Sequence, residues 1–133
     1  MMQTVEFTYG PKTLHLYHNS AAMFAIQELE TIKDGDQSIY DRILINTRAG
    51  VSLLCQVAHI LAQQGEHCRR YLQYTPERVP PAVELEAALT PAQILGLRTA
   101  VMQTIDAGYR SEQSEDDGDI DLGLLELEKK TTL

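Results

Sequence analysis

The hydrophobic pattern begins with two short segments that alternate between apolar and polar residues. Residues 4–9 read Thr-Val-Glu-Phe-Thr-Tyr and residues 13–18 read Thr-Leu-His-Leu-Tyr-His, with Gly10, Pro11 and Lys12 between them. A period of two puts alternate side chains on opposite faces of a strand, and a short connection that contains glycine joins two strands into a hairpin. The pattern therefore predicts an N-terminal β-hairpin with one face turned to a core.

After the hairpin, apolar positions recur every three or four residues, which is typical of helices that bury one face. Helices are predicted over residues 20–30, 39–44, 48–64, 81–88 and 91–107, with two further turns over 66–72. Their expected N-caps are Asn19 or Ser20, then Ser38, Thr47 and Thr90, and the segment Thr90-Pro91-Ala92-Gln93 is the clearest start signal. Gly65 and Gly108 are expected to end two of them as left-handed C-caps. Five or six helices behind one hairpin make a mainly α domain of the α+β class.

The last 24 residues differ from the rest of the chain. Residues 110–133 carry eight acidic side chains against three basic ones, and the whole chain has a net charge of -8. Within them Ile120, Leu124 and Leu127 have the spacing of one helix face. A segment this short does not fold alone, so we expect a body at 1–109 and an acidic docking tail at 110–133. The tail should bury its apolar stripe on a partner, on another copy or on its own body, and residues 111–119 should form a linker that is disordered without a partner.

Composition narrows the class of protein. A chain of 133 residues with 44% hydrophobic content can bury one core without metal or disulfide support. Its acidity repels phosphate backbones, so neither nucleic acid nor a membrane is expected as a partner. With no signal peptide and no run of 18 apolar residues, the expected compartment is a reducing cytoplasm, in which Cys55 and Cys68 stay free.

The residues that could carry chemistry do not form a recognisable catalytic or metal-binding set. His15 and His18 are predicted at the surface or at the hairpin end. The best metal candidate combines two cysteines and two histidines: Cys55, His59, His67 and Cys68. It lacks the Cys-x2-Cys or His-x3-His pairs of known sites, and Cys55 resembles a small core residue. No nucleotide-binding or hydrolase motif is present, so no catalytic residue, cofactor or metal is predicted.

Arg69 and Arg70 are the one pair of adjacent basic residues in the body of the chain. Two guanidinium groups could anchor an acidic partner or the acidic tail. The alternative is an exposed helix end whose cations complement the helix dipole. The predicted partner-binding residues are therefore Arg69, Arg70, Ile120, Leu124 and Leu127.

Four patches of the sequence together resemble a known family. They are residues 14–24, residues 60–66 with Arg69-Arg70, residues 89–108 and residues 119–130. In this order, length and acidic ending, the chain is similar to the short tail assembly chaperones encoded by long-tailed phages and by prophages in Gram-positive bacteria.

The resemblance implies a non-enzymatic role. Such a chaperone keeps the long, helical, aggregation-prone tape measure protein soluble while tail tube subunits polymerise around it, and leaves before the virion is complete. It implies the tape measure protein and the tail tube protein as partners, the host bacterial cytoplasm as location, and absence from the mature virion. It supplies no catalytic residues.

Two other classes of function compete with this expectation. The first is a host-directed adaptor or inhibitor whose acidic tail mimics nucleic acid and blocks a DNA-binding protein. Mimicry needs acids on a rigid face, whereas this acidic run contains Ser111, Ser114 and Gly118. The second is a cytosolic enzyme that uses Cys55 or Cys68, for which the sequence offers no convergent histidine and aspartate.

Overall fold

The computed structural model describes residues 3–29 and 38–117, with side chains through Arg110. Its elements are β1 (Val5–Tyr9), β2 (Lys12–Leu16), α1 (Ser20–Glu28), α2 (Ile39–Arg42), α3 (Arg48–Tyr71), α4 (Ala82–Ala88) and α5 (Pro91–Asp117). The predicted fold class is confirmed: the described part of the chain consists of an N-terminal hairpin and five helices, and the hairpin packs against α3 and α5.

The predicted hairpin is confirmed. Strands β1 and β2 pair antiparallel, with Val5 opposite Leu16 and Tyr9 opposite Lys12. Gly10 has a positive φ of 57°, which glycine adopts without strain, and so closes the tight turn. The apolar faces of both strands are buried against the helices.

The predicted N-caps are confirmed by side-chain hydrogen bonds. Asn19 Oδ1 accepts from the backbone N–H of Ala22 at 2.8 Å, and Ser38 and Thr47 cap α2 and α3 in the same way. At α5, Thr90 Oγ1 accepts from Gln93 N at 3.2 Å while Gln93 Oε1 accepts from Thr90 N at 2.9 Å. This reciprocal pair is a capping box, which satisfies two donors at the helix start.

The predicted ends of α3 and α5 are wrong, and both errors concern glycine. Gly65 lies inside α3, which continues to Tyr71, and Gly108 lies inside α5, which continues to Asp117. A Cβ on Gly65 would overlap the backbone carbonyl of His15, and one on Gly108 would meet His18 Cβ at 2.8 Å. These glycines let two helices approach the end of β2 closely, and neither acts as a cap.

Helix α3 is the centre of the molecule. It packs against β2, α1, α4 and α5, while α5 also packs against β1. The largest fully buried apolar side chains come from β2 and from all five helices or their flanks: Leu16, Ile26, Ile39, Ile43, Leu54, Val57, Leu61, Leu85, Leu97 and Val101.

The acidic tail is described only in part. Helix α5 crosses the predicted boundary at residue 110, and its backbone is helical over 111–117, where a disordered linker was predicted. The stripe residues Ile120, Leu124 and Leu127 lie outside the described residues.

Candidate functional site

A mainly apolar concave surface is a groove where α3 and α5 begin and α4 ends near one another. We call it the groove; its volume is about 460 Å³ and its lining is Asn46, Val51, Glu86, Leu89, Pro91, Ala92, Ile94 and Leu95. Leu89 and Ile94 form its floor, because both are buried in the core cluster. Leu95 stands at its edge with 53% of its side chain exposed. An exposed leucine beside an apolar floor indicates a surface on which a further apolar side chain could be buried.

More apolar surface lies next to the groove, in the connection between α2 and α3. Leu44 and Ile45 precede the groove residue Asn46 and are respectively 50% and 39% exposed. Their exposure follows from the short turn after α2, in which Leu44 N and Ile45 N bond back to Asp41 and Arg42 carbonyls. The backbone is fixed, so these side chains cannot fold inward.

The corner between α2 and α3 carries positive charge. Arg98 of α5 donates from Nε to Ile43 O at 2.9 Å and from Nη2 to Asn46 Oδ1. Arg48 is exposed in the first turn of α3. Glu86 of α4 is the one acidic residue among those that line the groove. The groove thus has an apolar floor, a basic corner and one acid on the α4 side.

Arg69 takes part in a hydrogen-bonded turn that follows α3. Its Nε donates to Glu66 Oε1 at 3.2 Å, its Nη2 donates to Thr75 O at 3.1 Å, and its guanidinium lies 5.2 Å from the ring centroid of Tyr74. Glu66 Oε1 also accepts from the backbone N–H of Glu77 at 2.7 Å. We call Glu66, Arg69 and Glu77 the α3 corner, which is distinct from the basic corner between α2 and α3. It fixes the segment that follows α3 through Thr75 and Glu77.

The predicted partner-binding arginines therefore differ in their surroundings. Arg69 is largely covered and bonded to its own chain, whereas Arg70 is exposed. Partner binding by Arg69 and Arg70 remains a prediction, as it does for Ile120, Leu124 and Leu127. Neither arginine lines the groove.

A second, smaller cavity of about 130 Å³ lies between the hairpin and α5, and His18 lines it with Leu16, Tyr17, Thr104 and Gly108. His15 and His18 were predicted at the surface or at the hairpin end; the surface position is wrong for both, since both are buried, and His18 does follow the end of β2. His18 is only 8% exposed, and its Nε2 has no hydrogen-bond partner among the described residues. It is drawn in because Gly108 leaves space for the ring, which also lies 5.1 Å from that of Tyr109.

Burial lowers the pKa of His18 below its usual 6.5. The unfolded chain therefore takes up a proton at a pH where the folded protein does not. The contribution of His18 to stability is complete above about pH 6.5 and is lost as the pH falls below it towards the lowered folded value.

His18→Phe should make the protein less sensitive to acid, because phenylalanine fills the same space without a titrating nitrogen. Between pH 7.5 and pH 5.0 the urea midpoint of the wild type should fall further than that of the variant; burying the charged ring without a partner costs about 1–3 kcal/mol. His67→Gln is the control, because His67 is exposed; its urea midpoint should fall as much as that of the wild type. Equal falls in all three proteins would contradict the assignment.

The cysteines and histidines considered as metal ligands serve other purposes. Cys55 is fully buried in the core, and burial raises the pKa of its thiol to about 11. His59 Nδ1 lies 2.7 Å from Pro80 O, and burial also raises the pKa of Cys68. Both thiols are protonated near neutral pH, so neither is an activated nucleophile. Within residues 3–29 and 38–117, no three histidine, cysteine or acidic side chains are grouped as metal ligands would be.

Comparisons of the chain with protein-family models, with curated proteins and with solved structures give no match. None of the described helices combines the length and the apolar character needed to cross a membrane.

Sequence reasoning missed the groove, the α3 corner and the His18 cavity. The groove joins residues 46, 86 and 95, which no short motif connects. For His18 a signal was present, because its buried neighbour Leu16 and the helix cap Asn19 leave little freedom to turn the residue outward.

Proposed function

We propose that this protein is a phage tail assembly chaperone. In this role it binds apolar helical segments of the tape measure protein in the host cytoplasm, keeps them soluble, helps to recruit tail tube subunits, and is absent from the finished virion. The sequence resemblance supplies the identity of these partners, and the groove supplies a physical means of binding them.

The groove is the observation that carries the proposal. Amphipathic helices bind proteins by laying their apolar face into a hydrophobic groove. Here the floor is already formed by Leu89 and Ile94, and Leu95 at the edge can close over an incoming side chain. Because such a site is small, each contact is modest and reversible, which suits a chaperone that tube subunits later displace.

The remaining chemistry favours binding over catalysis. The two thiols are buried with raised pKa values, and the unpartnered His18 faces a cavity of only about 130 Å³. A general base must reach a substrate, and a nucleophile must be activated by a neighbour. The groove, by contrast, is lined mainly by apolar side chains, with Glu86 as its one acidic residue.

Leu95→Asp should weaken client binding by about 10- to 100-fold, since one leucine contributes about 1.5–3 kcal/mol when fully buried. Binding can be measured by fluorescence anisotropy with labelled helical peptides from the tape measure protein. Val83→Asp is the matched control, because Val83 is 77% exposed on α4 and does not line the groove. If both variants bind as the wild type does, the groove is not the client site.

The identity of the client is tested by the gene neighbourhood. A very long helical reading frame downstream and a tube protein gene upstream are expected. Co-expression with that long protein should raise its soluble yield. A neighbourhood without either gene would overturn the chaperone proposal while leaving the groove as a binding site.

One observation favours the competing proposal of a nucleic acid mimic. The backbone is helical through Asp117, so acidic residues 112, 115, 116 and 117 lie on a regular element where a flexible linker was predicted. Rigid spacing of acids is what mimicry needs. If the protein displaces DNA from host DNA-binding proteins, and Glu112→Gln with Asp116→Asn abolishes this, the adaptor reading replaces the chaperone.

A further inference from the structure

We propose that the groove of one molecule binds the C-terminal segment of a second copy, residues 118–133, through Ile120, Leu124 and Leu127. This inference rests on the proposed function in one respect, because the client helix and the neighbouring segment are proposed to occupy the same groove.

The segment carries an apolar helix face that could cover the apolar groove. Ile120, Leu124 and Leu127 have the spacing of one helix face, and seven residues in a helix span about 10 Å. The groove, at about 460 Å³, offers Leu89 and Ile94 as a floor and Leu95 as a wall for such a face. Side chains of this kind bury their surface when a preformed apolar surface is available.

The segment cannot reach the groove of its own molecule in this form. Leu95 and Asp117 stand 22 residues apart in α5, which at a rise of about 1.5 Å per residue places the groove about 33 Å from the point where the segment begins. Three residues reach at most about 10 Å, so Ile120 remains about 20 Å short even in a fully extended chain. A segment that binds the groove as a helix through Ile120, Leu124 and Leu127 together must therefore come from another copy.

Charge favours the same arrangement. The stripe is flanked by Asp119, Asp121, Glu126 and Glu128. The basic corner beside the groove presents exposed Arg48 and the guanidinium of Arg98, which is bonded to Asn46 of the groove lining. Glu86 on the α4 side repels acids, so the acidic flank of the segment should face the α2–α3 corner.

The resulting contact is heterologous, because the groove and the segment are different surfaces. Each copy offers one of each, so copies associate head to tail. An interface formed by a few side chains is small, so association should be weak and dependent on concentration. A client helix in the groove would displace the neighbouring segment.

Complementary variants test this interface. Leu95→Asp places a charge in the groove and should abolish its binding while the segment stays intact. Ala92→Glu, at another exposed residue of the lining, is a second variant with the same purpose. Leu124→Asp with Leu127→Asp removes the segment and keeps the groove. Masses are measured by sedimentation from about 10 μM to about 1 mM, the range in which a small interface holds a complex.

The wild type should grow in mass with concentration. Each variant alone should stay at the monomer mass of 14.9 kDa, and an equal mixture of the two should reach twice that mass and stop there. The control Val83→Asp should associate as the wild type does. The proposal is overturned if the wild type is monomeric throughout, if the segment variant still self-associates, or if the mixture stays monomeric.

Failure here is distinguishable from failure of the proposed function. If Leu95→Asp loses the client peptide while the wild type never self-associates, the groove binds clients and the trans contact is wrong. If the mixture forms the dimer while the client peptide binds Leu95→Asp and wild type equally, the trans contact is right and the client site lies elsewhere.

Discussion

Gly65→Ala should destabilise the protein by about 3 kcal/mol or more, a large part of the 5–15 kcal/mol that holds a typical domain folded. The added Cβ would overlap His15 O and lie 2.5 Å from His15 C, and both atoms belong to the backbone of β2. Backbone cannot rotate away as a side chain can, so α3 and the hairpin would have to separate. Urea unfolding followed by circular dichroism at 222 nm measures the loss.

Gly96→Ala is the matched control for this prediction. Gly96 also lies inside a helix, but a Cβ there would meet only Phe7 Cε1 at 3.5 Å, an ordinary contact. Alanine is a better helix former than glycine by about 1 kcal/mol, so this variant should be slightly more stable than the wild type. If Gly65→Ala matched Gly96→Ala, the close crossing of α3 and β2 would not exist in solution.

Glu66→Ala should be the second strongly destabilising change, by about 2–4 kcal/mol. Glu66 is only 9% exposed, and its Oε1 accepts from both Arg69 Nε and the backbone N–H of Glu77. Removal of the carboxylate leaves the largely covered Arg69 Nε and the backbone N–H of Glu77 without their acceptor. The connection after α3 should then loosen, and limited proteolysis between residues 72 and 79 should accelerate.

The conservative variant separates hydrogen bonding from charge at the same position. Glu66→Gln keeps an amide oxygen that can accept from Glu77 N and loses only the ion pair with Arg69, so its loss of stability should be smaller and its proteolysis close to that of the wild type. Equal losses for alanine and glutamine would show that the charge alone matters. No loss for either would contradict the α3 corner.

Local signals explain which parts of the fold the sequence predicts. The hairpin and the caps at Asn19, Ser38, Thr47 and Thr90 depend on residues within a few positions of one another. Such hydrogen bonds form whatever the rest of the chain does. For this reason the starts of the helices are predicted more accurately than their ends.

The ends of α3 and α5 depend on distant contacts. Glycine after an apolar helical pattern can end a helix with a positive φ, or it can make room for another chain. The apolar period of α3 continues through Leu61, Gly65 and Cys68, all of them buried, which is the signal that favours the second use. The groove had no comparable signal, because its walls come from three separate helices and the connections between them.

Arg69 shows the same limit for a candidate site. An adjacent pair of cations looks the same in the sequence whether it faces a partner or a neighbouring turn. In the structure Arg69 is bonded to Glu66, one turn earlier, and to the carbonyl of Thr75, six residues later. The turn that places Thr75 next to Arg69 contains Gln73 with a positive φ of 73°, and no sequence motif predicts this conformation.

The approach of β2 to α3 also affects how the hairpin meets its surroundings. Unpaired strand edges recruit other extended chains and are a common origin of aggregates. The carbonyl of His15 is turned against Gly65, and Tyr17 N donates to Leu61 O at 3.1 Å, so the far side of β2 is occupied by a helix. Amyloid-like stacking therefore cannot propagate through both edges of this sheet, and the hairpin is protected from adding a further strand next to β2.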